Sequence, residues 1–129
     1  MHKGFLKTGF LFAALSVAMG AFAAHGLKDF FSQNALNTFD TAVRYQFYHV
    51  FALLLTAILY RDFKNKFIII AGWLFITGII LFSGSLYLLT IIQGMVQPGY
   101  KWVGAITPFG GVAFIAGWIF LFAAMFKKN

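Results

Sequence analysis

Few side chains in this sequence could do chemistry, and most of them fall in one stretch. From Asn34 to Tyr60 the chain reads NALNTFDTAVRYQFYHVFALLLTAILY, and its first half carries Asp40, Arg44, Tyr45, Gln46, Tyr48 and His49. At helical spacing Tyr45 and His49 share a face, as do Arg44 and Tyr48. A histidine here could handle protons or bind a ligand, because imidazole titrates near neutral pH. An arginine here could hold an anion or a lipid headgroup, with His25 on the same side of the membrane. Plainer readings stand beside both. His49 can be a neutral ring bonded to Ser83, Ser85 or Tyr87. Arg44 can pair with Asp40 one turn away, an interaction worth roughly 0.2–0.5 kcal/mol.

Other chemistries find little material. There is no Cys, which removes disulfides, thiolate metal sites and Cys nucleophiles. The three acids, Asp29, Asp40 and Asp62, are too few and too scattered for a carboxylate pair or an all-oxygen Ca²⁺ cage. His25 and His49 alone make a weak zinc site, which only Asp29 or Asp40 could complete. Ser83, Ser85 and Tyr87 sit in LFSGSLY, which is not a nucleophile elbow, and small hydroxyls in a tight helix interface explain them better. An enzyme is therefore the least supported of the readings, and no cofactor and no metal are expected.

The elements that must position these residues are membrane spans. Hydrophobic residues make up 61% of the 129-residue chain and charged residues 10%, with 18 Phe. A soluble domain carries roughly 25% charge, and Phe is favourable at the centre of a membrane helix. Four spans are expected, at about residues 5–24, 42–60, 67–92 and 108–126, forming a single domain. The first resembles a signal peptide, with Lys3 and Lys7 before an apolar run that ends in Ala21-Phe22-Ala23. We expect it to be retained, since cleavage would leave three spans and upset the balance of basic charge between the two sides. Ser16, Gly20 and Ala24 recur every four residues and allow a close helix approach.

Gly26 is expected to stop the first helix in a left-handed conformation, and Ser32 or Asn34 to cap the second. Leu36, Phe39, Val43, Phe47 and Val50 make the second helix amphipathic before it enters the membrane. In the third span Gly78, Ser83, Gly84 and Ser85 make a slim middle. Pro98-Gly99 signals a turn, Tyr100 and Trp102 suit an interface, and Thr107-Pro108 reads as an N-cap followed by a first-turn proline. AGWLF at 71–75 returns as AGWIF at 116–120 at a different depth, which we read as coincidence of composition.

Orientation is set by charge. Lys3, Lys7, Arg61, Lys64, Lys66, Lys127 and Lys128 fall on the side shared by both termini, against Lys28, Arg44 and Lys101 opposite. The positive-inside rule then puts both termini in the cytoplasm. The net charge of +7 is accounted for by these flanks and needs no nucleic acid.

Four motifs, GAFAAHGL (20–27), TFDTAVRYQFYH (38–49), LFSGSLY (81–87) and TPFGGVAFIAGW (107–118), resemble those of a family of small four-span inner-membrane proteins known only as a domain of unknown function, DUF423, with eukaryotic transmembrane protein 256 among its relatives. The resemblance runs through almost the whole chain, with one motif per span. Ala23 departs from it, the family more often having Gly there. The resemblance implies a four-helix membrane bundle with a retained first span, and it implies no activity.

The expected object is an all-α integral membrane four-helix bundle, both termini inside, multi-pass in the inner membrane. It would bind a lipid, a small amphiphile or a membrane partner in a pocket on the outer side, walled by His25, Arg44, Tyr45, His49, Ser85 and Tyr87. Its partners would be membrane lipids, a second copy of the chain or another membrane protein. The alternative is a component of a small-solute or proton transporter or channel, in which His49 faces a hydrated path.

Overall fold

A computed structural model describes residues 1–94 and 101–127. The Pro98-Gly99 turn, the Tyr100 anchor and Lys128 lie outside them. The described chain is helical, without strands, and four of its helical segments are long and apolar enough to cross a membrane: Lys3–Leu27, Gln33–Leu59, Lys66–Gln93 and Trp102–Ala124. This is the all-α membrane bundle that the composition demands.

The first span is α1 (Lys3–Phe22), prolonged by a π-helical turn at Ala23–Leu27. Gly26 therefore does not end the helix in a left-handed conformation. It lies inside the wide turn, where a Cβ would meet the Phe22 ring at 2.8 Å. The widened turn carries the chain past the expected stop and buries Leu27 against Phe39 and Val43.

Ser32 caps α2 (Gln33–Leu59), its hydroxyl accepting from the Ala35 N–H at 3.2 Å. The amphipathic first half of α2 buries Ala35, Phe39, Ala42 and Val43 and leaves Gln33, Asn37, Asp40 and Arg44 exposed. Its second half, with Val50, Leu53 and Ala57, enters the main core beside Phe5, Ile68, Phe75 and Phe114.

Asn65 starts α3 (Lys66–Gly78), accepting from the Phe67 and Ile68 N–H groups. Its own amide donates to the Ala124 carbonyl at 3.1 Å, tying this connection to the end of the last helix. A second π-helical turn, Ile79–Ser83, joins α3 to α4 (Gly84–Gly94). Each such turn inserts one residue into the helix and rotates the residues beyond it.

After the short α5 (Lys101–Gly104), α6 (Thr107–Ala124) closes the bundle against α3. Thr107 is not the N-cap. Ile106 holds that position in helical conformation, with no side-chain bond, because the Thr107 hydroxyl is engaged with Ser85 at 2.6 Å. At Gly110 the two backbones touch: a Cβ there would stand 2.3 Å from the Phe82 nitrogen. The two AGW copies also meet. Phe75 of the first packs where Gly117 of the second has no side chain, and edge-on to Trp118 at 5.1 Å.

Candidate functional site

Three groups of polar residues stand out on the second and third spans. In the first, His49 is buried against α6, its ring stacked on Phe114 with centroids 3.4 Å apart. Its Nδ1 lies 2.7 Å from the Tyr45 carbonyl, and its Nε2 lies 3.2 Å from the Trp118 indole nitrogen. A carbonyl can only accept and an indole N–H can only donate. One neutral tautomer, with the proton on Nδ1, satisfies both. The expected hydroxyl partners are thus replaced by a backbone carbonyl and an indole.

In the second group, the Tyr87 hydroxyl donates to Gln46 Oε1 at 2.6 Å, and Gln46 Nε2 donates to the Phe12 carbonyl at 3.1 Å. Ser16 donates to the same carbonyl at 2.8 Å. This chain of bonds links the third, second and first spans. Ser83 reinforces it, donating to the Ala42 carbonyl at 2.7 Å. In membranes such bonds contribute about 0.6 kcal/mol each on average, so their main effect is to fix register.

The third group is exposed. Arg44 Nε donates to Asp40 Oδ2 at 2.9 Å, and Nη2 contacts the same oxygen. The i,i+4 pair stands as expected, on the face of α2 away from the core.

The six residues expected to wall one pocket do not converge. Tyr45 and His49 share the α6-facing side, with Tyr45 also 4.8 Å from Phe82. Ser85 donates to the Phe82 carbonyl at 2.9 Å, which leaves the Thr107 hydroxyl to donate to Ser85. Tyr87 belongs with Gln46. Arg44 and His25 are exposed, His25 within the first π-helical turn. Among the described residues two cavities flank α1, and of the six residues Tyr87 alone lines either of these two.

The first cavity is a cleft of ≈330 Å³, at the small end of the roughly 300–1,000 Å³ that ligand sites occupy. Phe12, Leu15 and Met19 of α1 form one wall, and Ile79, Ile80 and Gly84 around the second π-helical turn form the other. Gln46 and Tyr87 line it too, with the Tyr87 hydroxyl bonded to Gln46 Oε1 and Gln46 Nε2 bonded to the Phe12 carbonyl. The cleft therefore offers hydrocarbon contact and a rigid wall. No group of three or more His or acidic residues placed to hold a metal occurs among the described residues.

The expected pocket leaves out Gln46 and Trp118. The first had a signal: Gln46 falls between Val43 and Val50 on the apolar stripe of α2, and an amide on a buried stripe must find partners. Trp118 had only its place in the repeated AGW motif, which gives no hint of a histidine across the interface.

A bundle of four apolar spans held in register by buried hydrogen bonds, with a cleft between its helices, defines a small multi-pass membrane protein. The chain belongs to the family described as "Protein of unknown function (DUF423)", whose model matches residues 19–111. It is similar to UPF0382 membrane protein SAB0533 of Staphylococcus aureus (strain bovine RF122 / ET3-1), 44% identical over 125 residues that cover 97% of each chain. It is also similar to UPF0382 membrane protein YwdK of Bacillus subtilis (strain 168), 41% identical over 126 residues, 97% of this chain and 98% of the relative. No solved structure matches it.

Proposed function

We propose that this membrane protein binds a lipid or small amphiphile by its hydrocarbon chain, in the cleft between the first, second and third spans. The observation that carries this reading is a ≈330 Å³ cleft of apolar side chains whose two polar residues are bonded to each other. Such a surface gains from contact with a chain and offers nothing to an ion or a sugar. The pocket moves from the outer face expected from sequence to the flank of the bundle, and Tyr87 stays in it. The reading keeps both termini and the Arg61–Lys66 connection in the cytoplasm, on the strength of the basic residues gathered there, with the protein in the inner membrane. The transport alternative gains no observation of its own, since His49, Gln46, Ser83 and Ser85 spend their polar atoms on neighbours.

A phospholipid with a photoreactive group midway along its acyl chain tests this in proteoliposomes. Label should concentrate on Phe12–Met19 and Ile79–Gly84. Gly84→Leu should abolish it, because a side chain at Gly84 meets nothing within 4 Å and grows into the cleft. Label spread evenly over outward residues such as Val112, Ile115 and Phe122 would refute the site.

A further inference from the structure

A second cavity, of ≈340 Å³, opens on the other flank of the α1–α2 contact, at the end where α2 begins. Its polar wall is Lys28, Gln33, Asn37 and Asp40, and Gly20, Ala23 and Leu36 give it an apolar floor. The wall carries both signs of charge. Lys28 is exposed and makes no ion pair among the described residues. Gln33 Nε2 donates to Asn37 Oδ1 at 2.9 Å. That bond fixes the row of amides and leaves the Asn37 Nδ2 hydrogens and one Gln33 hydrogen as donors. Both Arg44 contacts to Asp40 go to Oδ2, so the other carboxylate oxygen remains an acceptor.

The depth is that of lipid headgroups. The 27 residues of α2 span about 40 Å against a hydrocarbon core of roughly 30 Å. If the far end of α2 marks one membrane surface, about the first seven residues stand in the opposite headgroup layer, Gln33 to Phe39, with Asp40 at its edge. A cation and amide donors beside a carboxylate match a group that carries a phosphate and an ammonium together. A headgroup with phosphate alone leaves Asp40 facing like charge.

We propose that this cavity binds the headgroup of a zwitterionic phospholipid, its phosphate on Lys28 and the amides and its ammonium on Asp40, with the glycerol resting on the floor of small side chains. The site is independent of the chain cleft and stands or falls separately.

The full-length protein carrying Gly84→Leu, so that the chain cleft is filled throughout, would be presented in mild detergent with phosphatidylethanolamine, phosphatidylglycerol or diacylglycerol. Bound lipid would be read by native mass spectrometry. Phosphatidylethanolamine should be held best and diacylglycerol least. Lys28→Gln should weaken both phospholipids about tenfold, the loss of one charge-assisted contact, and Lys28→Arg should restore them. Asp40→Asn should remove the preference for phosphatidylethanolamine and leave phosphatidylglycerol binding in place. All these side chains are exposed, so folding is not at stake. Equal retention of the three lipids, or a preference that survives both Lys28→Gln and Asp40→Asn, would overturn the proposal. Soluble phosphoethanolamine added at the lipid's own concentration separates the sources of the group. Failure to displace lipid supports a membrane headgroup, and displacement at equal concentration overturns the lipid assignment in favour of a soluble phosphoamine.

Discussion

Gly110→Ala is the sharpest test of how the bundle is held together. The added methyl would lie 2.3 Å from the Phe82 nitrogen and 2.7 Å from its Cα. Ordinary contacts need about 3.5 Å, so α6 must withdraw from the π-helical turn by about 1 Å. Neither neighbour is a side chain that can swing aside. Overpacking of this kind costs typically about 1–3 kcal/mol. The same shift would stretch the 3.2 Å Trp118–His49 bond past hydrogen-bonding range, adding about 0.6 kcal/mol. Against this stands a gain of roughly 0.5–1 kcal/mol from replacing Gly in a helix interior. The balance is a loss of about 2 kcal/mol, near thirtyfold in the folding equilibrium. Gly84→Ala is the internal reference. It lies two residues beyond Phe82, meets nothing within 4 Å, and should gain about 0.5 kcal/mol. Both variants would be unfolded by denaturing detergent alongside the unmodified protein, with tryptophan emission as readout. The reasoning fails if Gly110→Ala is as stable as the parent, or if the two substitutions move stability in the same direction.

The other expectations are simpler. Trp118→Phe should destabilise by at least about 0.6 kcal/mol, the contribution assigned to its bond with His49, since it leaves a buried imidazole nitrogen without its donor. Adding His49→Leu should recover part of that loss in a double-mutant cycle, because the orphaned acceptor goes with it. Arg44→Ala should leave the unfolding midpoint unchanged within error, as its pair with Asp40 is exposed and screened by solvent. A measurable shift in the same detergent titration would mean that Arg44 supports the fold in a way its contacts do not show.

Much of this architecture was legible because apolar length is a strong signal. Four long hydrophobic runs leave little choice of element, and Ser32 and the Asp40–Arg44 pair needed only local spacing. What escaped was non-local or depended on one inserted residue. The two π-helical turns have no sequence signature, yet the second places Ser83 on the Ala42 carbonyl and brings the Phe82 backbone onto Gly110. Thr107 has the right type and place for a cap, and a tertiary bond to Ser85 outcompetes that local role. His49 was recognisable as a residue needing partners, but its donor lies 69 residues away on α6. The expected pocket scattered for the same reason. Residues of three spans were assumed to point at one place, and helix rotation, which the sequence leaves open, points Tyr87 and His49 at different neighbours.

The first span is bonded to the second through the Phe12 carbonyl, yet only 11% of its most apolar stretch is buried, against 50% for α2. It leaves the ribosome before every element it packs against. Before α2 follows, its backbone can already pair within itself, as a helix in lipid requires. The Phe12 carbonyl then waits for Gln46, and Gln46 in turn for Tyr87, so the polar links close in the order of synthesis. The wall of the cleft is finished only when the third span, with Ile79, Ile80 and Gly84, is in place.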